Sequence, residues 1–272
     1  MDYISSTIYG IIQGLTEFLP VSSSAHLALL PHFMHIKDPG VTFDLAMHIG
    51  TALAILLYFR KMVYELISAT WSWVILQKEN SHPQRYYALN MIIATLATVV
   101  MVLIVKKAAS EYGRSPEMIV FNLFVFGVLM YIADNLSKSN ADLEMKNFQW
   151  KASLAIGLFQ AFAIFPGVSR SGSTLTISRF MHLTREEATR FSFLLAVPII
   201  FGGMLEHIPA LVRGEESFDV IACAIGIAIS FLTGLLTIHF FLGIVKKVGL
   251  SVFAVYRVIF SVVVYWIVIK TH

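Results

Sequence analysis

Charge is what this sequence has least of. Only 14% of its 272 residues are Asp, Glu, Lys or Arg, while 57% are hydrophobic and the mean hydropathy is +0.74. A soluble domain carries about 25% charged residues to cover its surface, so a single water-soluble core is excluded. Cysteine is almost missing too. Cys223 stands alone in VIACAIGIAI, which rules out a disulfide within the chain, and no Cys/His cluster has zinc spacing. Lysine and arginine total 20 against 17 acids, a net charge of +3. That excess is too small for nucleic-acid binding and fits basic loops beside anionic lipid headgroups. No basic n-region precedes the first apolar stretch, which runs into Glu17 and Pro20, so no cleavable signal peptide is expected.

What the chain does have is long apolar runs, at 4–19, 41–59, 87–105, 118–133, 152–165, 191–211, 220–244 and 251–269. They lack the alternation that a membrane barrel requires and predict an all-α polytopic membrane protein. At about 20 residues per spanning helix, the length has room for roughly six to nine segments. The stretch 64–76, with Trp71 and Trp73, reads as an interfacial helix, since tryptophan favours the headgroup level. The whole chain is expected to form one integral membrane domain, with halves at about 1–133 and 152–272 joined by a polar linker at 134–151.

Two runs are too short to span, and both end at a proline followed by serines. One reads QGLTEFLPVSSSAH (13–26), the other QAFAIFPGVSRSGST (160–174). In each, a glutamine stands six or seven residues before the proline, and clustered hydroxyls follow it. Interrupted segments at matching places in two halves are the mark of an internal repeat, often inverted, whose broken helices meet at a central site. Irregular backbone at membrane depth is tolerated only where protein or a water-filled cavity surrounds it.

The first break carries Glu17 inside an apolar run, where a carboxylate costs about 2.5–3.5 kcal/mol to insert. Gln13 lies one helical turn earlier on the same face. Ser22, Ser23, Ser24 and His26 follow, offering hydroxyl nucleophiles and a group that titrates near neutrality. The second break places Ser169, Arg170, Ser171, Ser173 and Thr174 with two glycines in nine residues, PGVSRSGST. Glycines admit a ligand close to the backbone, a following helix N-terminus favours anions, and arginine bonds phosphate oxygens in pairs. The combination suits phosphate, yet matches neither the nucleotide P-loop nor the dinucleotide fingerprint. Asp44 and His48, four residues apart in an apolar run, are expected to pair with each other or with Arg257 as helix-to-helix contacts. His182 with Arg179, Arg185 and Arg190 reads as a basic cluster at the membrane surface. His32, His35, His82 and His272 carry little signal.

With these motifs in view, the chain resembles the undecaprenyl-pyrophosphate phosphatase family of the bacitracin-resistance type along essentially its whole length. The resemblance rests on the two break motifs and on FDLAMHIGT (43–51), FSFLLAVP (191–198) and FAVYR (253–257). It implies an inverted repeat with two re-entrant helix hairpins, often dimeric, in the bacterial inner membrane with the site facing the periplasm. It further implies removal of the terminal phosphate from a C55 isoprenoid pyrophosphate and dependence on a divalent cation, Mg or Ca. The family's catalytic glutamate falls on Glu17, which would also hold the metal. Its paired serines fall on Ser22 and Ser23, its histidine on His26, and its phosphate loop on Ser169, Arg170 and Thr174. Many members carry a second glutamate where this chain has Gln13.

Two chemistries stay open at this level. Ser23 attacks phosphorus while His26 or Glu17 takes its proton, or Glu17 activates water directly. A transporter that binds the lipid phosphate without cleaving it shares the same features. The acid-phosphatase-like lipid phosphatases are excluded, because Ser178-Arg179 is followed by His182 after two residues where five are required, and Pro-Ser-Gly-His is absent.

Overall fold

The computed structural model describes residues 2–34, 36, 38–74, 84–112, 115–137, 144–213 and 219–270. Every regular element among them is helical: α1 (Tyr3–Thr16), α2 (Ser23–Met34), α3 (Val41–Tyr58), α4 (Arg60–Val74), α5 (Arg85–Tyr112), α6 (Pro116–Leu136), α7 (Trp150–Gln160), α8 (Arg170–Phe180), α9 (Arg185–Val212), α10 (Val220–Val248) and α11 (Ser251–Val264). A 3-10 turn, Ala161–Ile164, extends α7, and a π segment, Tyr265–Ile269, extends α11. His35, His82, His272 and the connectors at 75–83 and 138–143 lie outside the described residues.

Among the described residues, six helical stretches are long and apolar enough to cross a membrane: Val41–Tyr58, Arg85–Glu111, Pro116–Leu136, Arg185–His207, Val220–Val248 and Ser251–Ile269. Their outer faces present large apolar side chains such as Leu103, Phe121 and Phe240, each about three-fifths exposed. Such faces belong in lipid. The protein is therefore a multi-pass membrane protein. Polar caps mark where its helices begin: Asp2 accepts from Ser5 N, Ser115 from Met118 N ahead of Pro116, and Asp219 from Ile221 and Ala222 N. The stretch expected at 64–76 is the fifteen-residue α4, which is not among the crossing helices. Tyr64, Ile67 and Trp71 are exposed on it.

The two short runs become helix–break–helix units. α1 stops at Thr16, the chain turns through Pro20, and α2 starts after Ser22. α7 and its 3-10 turn stop ahead of Pro166, and α8 starts after Ser169. The register between the units is set by glutamine and serine: Ser22 follows Gln13 by nine residues, and Ser169 follows Gln160 by nine. The prolines are offset by one within that frame. Both serines hold positive φ, 73° and 72°, a conformation that costs a non-glycine residue about 1–3 kcal/mol and persists only where the surroundings enforce it.

The same frame equates Gly10 with Gly157, and each seats a half-length helix against a long one. A Cβ on Gly10 would lie 2.9 Å from the Gly226 carbonyl oxygen of α10, and one on Gly157 would overlap the Ala94 carbonyl oxygen of α5. Thr233 donates to the Gly10 carbonyl at 3.3 Å and Thr98 to the Gly157 carbonyl at 2.9 Å. α1 runs parallel to α10 and α3 from one end of the molecule, while α7 runs parallel to α5 from the other. α6 and α11 pack antiparallel between them, Asn135 beside Ser251 and Gly127 beside Ala254. The two breaks consequently meet in the middle.

Gly157→Ala is expected to push α7 off α5 and cost about 1–3 kcal/mol through overpacking. Gly203→Ala on α9, where a Cβ would meet nothing within 4 Å, should leave the protein unchanged. Thermal unfolding of the two variants in the same detergent makes the comparison.

Candidate active site

Glu17, only 5% exposed, follows the last turn of α1 and faces the second break. Arg170, the first residue of α8, donates Nη2 to Glu17 Oε1 at 3.0 Å and Nη1 to the Ser192 carbonyl of α9 at 2.8 Å. The other carboxylate oxygen, Oε2, accepts from Ser23 Oγ at 2.6 Å and from Gln13 Nε2 at 3.0 Å. His48 of α3 brings Nε2 to 3.5 Å from that same oxygen. An acid from one half and a guanidinium from the other thus share one buried site. Their mutual attraction and the surrounding hydrogen bonds offset part of the cost of burying both charges.

A second guanidinium joins the breaks themselves. Arg257 of α11 is fully buried and gives Nη2 to the carbonyls of Gly167 at 2.7 Å and Val168 at 3.0 Å. Nη2 also lies 3.4 Å from the Asn122 carbonyl of α6, while Nη1 reaches the Pro20 carbonyl of the first break at 3.5 Å and Nε the Leu123 carbonyl of α6 at 3.4 Å. Broken helices leave carbonyls without intrahelical partners, and the planar five-donor fork satisfies several at once. Gly172 makes room for it, since a Cβ there would lie 2.6 Å from Arg257 Nη1. Ser171 Oγ adds a direct link, donating to the Leu19 carbonyl at 3.1 Å, and Asn122 Nδ2 donates to the Pro166 carbonyl at 2.9 Å.

The hydroxyls divide into two groups. Ser23 alone reaches the carboxylate. Ser22 Oγ accepts from Ala25 N at 3.4 Å and lies 3.2 Å from Ser24 Oγ; Ser169 Oγ accepts from Gly172 N at 3.0 Å and lies 3.3 Å from Ser171 Oγ. These are matching helix caps in the two units. Ser173 and Thr174 donate to the Arg170 carbonyl at 2.9 and 3.0 Å, and Thr174 Oγ1 lies 2.6 Å from Ser192 Oγ. In the phosphate-loop motif the hydroxyls therefore brace the turn, and Arg170 with the amide end of α8 is what remains to meet an anion.

His26 stands away from this cluster. Its Nδ1 donates to the Ser22 carbonyl at 2.8 Å, its Nε2 lies 2.7 Å from Tyr256 Oη, and its ring stacks on Phe260 at 4.5 Å. Of the two pairings expected for Asp44 and His48, the one with Arg257 does not form, since the Arg257 donors go to carbonyls across the molecule. His48 instead bonds the Asp44 backbone carbonyl at 2.7 Å and points its other nitrogen into the site. Arg179 and Arg185 form no simple surface patch, because both bind Asp134, which is 3% exposed, at 3.2 and 2.8 Å. Asp134 also accepts from Leu250 N at 2.8 Å. The residues that sequence reasoning passed over are His48 and Ser192. They lie in FDLAMHIGT and FSFLLAVP, but only tertiary packing turns them toward Glu17 and Arg170.

Two interrupted helix pairs whose breaks carry a paired acid and guanidinium define a class of multi-pass proteins with a polar centre inside an apolar bundle. Residues 6–263 match the family described as Bacitracin resistance protein BacA, and the chain belongs to that family. It is 39% identical over 265 residues to the Undecaprenyl-diphosphatase of Marinobacter nauticus, covering 97% of this chain and 98% of that one. It is likewise 39% identical over 264 residues to Undecaprenyl-diphosphatase 2 of Stutzerimonas stutzeri, covering 97% of each.

Arg257→Lys keeps the charge but loses the fork. It should lower the unfolding midpoint by the equivalent of about 2–3 kcal/mol, one or two charge-assisted bonds. An unchanged melting curve would mean the clasp on Gly167 and Val168 is not holding the breaks together.

Proposed function

We propose that this protein hydrolyses undecaprenyl pyrophosphate to undecaprenyl phosphate and inorganic phosphate, returning the lipid carrier to wall-polymer synthesis and thereby conferring bacitracin resistance. The observation that carries this reading is the Glu17–Arg170 pair inside the bundle with Ser23 bonded to the same carboxylate. The activity for which the relatives are named agrees with it. The two helix–break–helix units act as re-entrant hairpins from opposite membrane faces. The pyrophosphate lies between their breaks and the isoprenoid tail lies in lipid or along a groove between helices.

Arg170 and the first turn of α8 stabilise charge on the transferring phosphoryl group, the main source of acceleration in such reactions. Ser23 Oγ attacks the terminal phosphorus and Glu17 accepts the Ser23 proton. The bond from that phosphorus to the bridging oxygen breaks, undecaprenyl phosphate leaves, and water then releases phosphate from Ser23. Of the two proton acceptors considered, the geometry favours Glu17 at 2.6 Å over His26, whose nitrogens are engaged elsewhere. Direct activation of water by Glu17 is the second reading, favoured by the Glu17–Arg170 contact, which puts a base beside the group that would hold the phosphoryl oxygens.

A divalent cation, Mg or Ca, is part of this reading; the described residues hold no cluster of three or more His, Cys, Asp or Glu side chains, so the substrate's own phosphates would complete its ligands. Gln13 Oε1 is buried without a hydrogen-bond partner, on the amide whose nitrogen bonds Glu17, and hard oxygen donors suit such ions. Glu17 and Gln13 would hold it, and it would neutralise pyrophosphate charge. Orientation follows from basic side chains. Arg60, Lys61, Arg85, Lys146, Lys151, Arg185, Arg190, Lys246 and Lys247 gather at the end where α3 and α10 finish. Among the described residues, the opposite end has Lys106, Lys107, Arg213 and Lys270. The positive-inside rule puts the richer end in the cytoplasm of a bacterial inner membrane, so the α1–α2 unit enters from the periplasm.

Phosphate release from C55 pyrophosphate by purified protein in detergent, with and without chelator, separates a hydrolase from a carrier. A protein that binds the lipid yet releases no phosphate would sink the proposal. Arg170→Ala should lower turnover about a hundredfold or more while the protein still folds. Ser23→Ala should abolish turnover if the covalent route operates, and a trapped phosphoserine at Ser23 would mark it directly. Wild-type rates in Ser23→Ala would leave only the water route.

A further inference from the structure

We propose that a cavity at the more basic end of the molecule binds a phosphate-bearing anion. The site is separate from the Glu17–Arg170 centre and does not depend on the hydrolase reading.

The cavity, about 340 Å³, lies where the ends of α6, α8 and α10 meet the start of α9, and is lined by Ser137, Arg179, Thr184, Arg185, Glu186 and Lys246. Such a volume holds a small ligand. Three of these residues are cationic and one is anionic, and the layer beneath is short of negative charge as well. Arg179 Nε and Arg185 Nε both bond Asp134 Oδ1, at 3.2 and 2.8 Å, and Arg185 Nη2 bonds Oδ2 at 2.9 Å. One buried carboxylate thus serves two guanidiniums, whose side chains are only 5% and 33% exposed. It neutralises one of them. An excess charge in a half-buried place is costly without a counterion, and an anion in the cavity supplies it.

The donors are in place for a phosphate. Arg179 gives its other nitrogens to the carbonyls of Leu183 and Ser137, so it contributes charge and no contact. Among the described residues no hydrogen bond engages Arg185 Nη1, which is left for a ligand. Lys246 stands on α10, paired with Glu186 Oε2 at 2.5 Å, while Arg190 holds Glu186 Oε1 at 3.2 Å. These three side chains are two-fifths or more exposed, and exposed pairs contribute little. Lys246 can therefore turn to a bound anion at small cost. A guanidinium nitrogen and an ammonium make strong charge-assisted bonds to phosphate oxygens, and basic cavities between membrane helices are known seats of anionic headgroups. Leu136, Phe180 and Ile244, each within two residues of a lining residue, are exposed and suit the chains of an anionic lipid. A free phosphate ion would use the polar contacts alone.

The test uses the full chain in detergent. Retention of added phosphatidylglycerol or phosphatidylcholine is read by native mass spectrometry, and binding of inorganic phosphate by calorimetry. The wild type should bind phosphatidylglycerol in preference to phosphatidylcholine, and its melting midpoint should rise with the amount added. Lys246→Gln should weaken that binding about fivefold, the share of one basic side chain, and Arg185→Gln about tenfold. Glu186→Gln removes the negative group from the wall and should tighten binding about fivefold, a gain that misfolding cannot mimic. Lys107→Gln, at the opposite end, should match the wild type. If phosphatidylglycerol alone responds to Lys246→Gln and Glu186→Gln in this way, the occupant is a lipid headgroup. If inorganic phosphate binding responds in the same way, a free ion also fills the site. Phosphatidylcholine retained as well as phosphatidylglycerol would overturn the proposal. So would equal binding of both anions by wild type, Lys246→Gln and Glu186→Gln, or a loss in Lys107→Gln as large as that in Lys246→Gln.

Discussion

Arg257 is the contact on which the rest of the structure depends. Two helices broken inside an apolar bundle expose carbonyls that lipid cannot satisfy. A single buried guanidinium gathers those of Gly167 and Val168 from one break with that of Pro20 from the other, and anchors them to α6. Without that fork the two breaks would be joined only by Ser171 on the Leu19 carbonyl and by Arg170 on Glu17. With it in place, the ends of α1 and α8 are fixed at a separation that lets Glu17 meet Arg170.

The buried polar centre is thus assembled by backbone satisfaction before any chemistry is considered. Strain at Ser22 and Ser169 is held because each serine caps the helix it starts, and because the carbonyls nearby are clasped. The motif hydroxyls that look catalytic in isolation are mostly committed to this bracing. Only Ser23 among them is turned onto the carboxylate. The reason is physical: a buried hydroxyl without a partner is costly, so most bond the backbone or one another, and few groups are left toward the centre.

At the other end of α8, Asp134 ties α6, α8, α9 and the start of α11 through Arg179, Arg185 and Leu250 N. Its two arginines had the look of a surface cluster because a sequence reveals charge but not burial. Arg170 and Arg179 therefore stand nine residues apart on one short helix with different duties, one paired with Glu17 between the breaks and one locking the frame.

The membrane class, the two interrupted segments and the candidacy of Glu17 and Arg170 were legible in the sequence, because hydropathy, a proline break and a charge in an apolar run are all local signals. The nine-residue spacing from glutamine to serine was also there to be read, masked by prolines offset by one. What only the tertiary structure decided is which side chains face one another. His48 was placed with Asp44 by spacing, yet packing of α3 beside α1 turns its Nε2 to Glu17. His26 sits next to the serines in sequence, yet α2 carries it to Tyr256 and Phe260. Helix rotation about its axis and contacts between residues more than a hundred positions apart leave no trace in local composition. The chain alone thus names the ingredients of the site, and the fold selects among them.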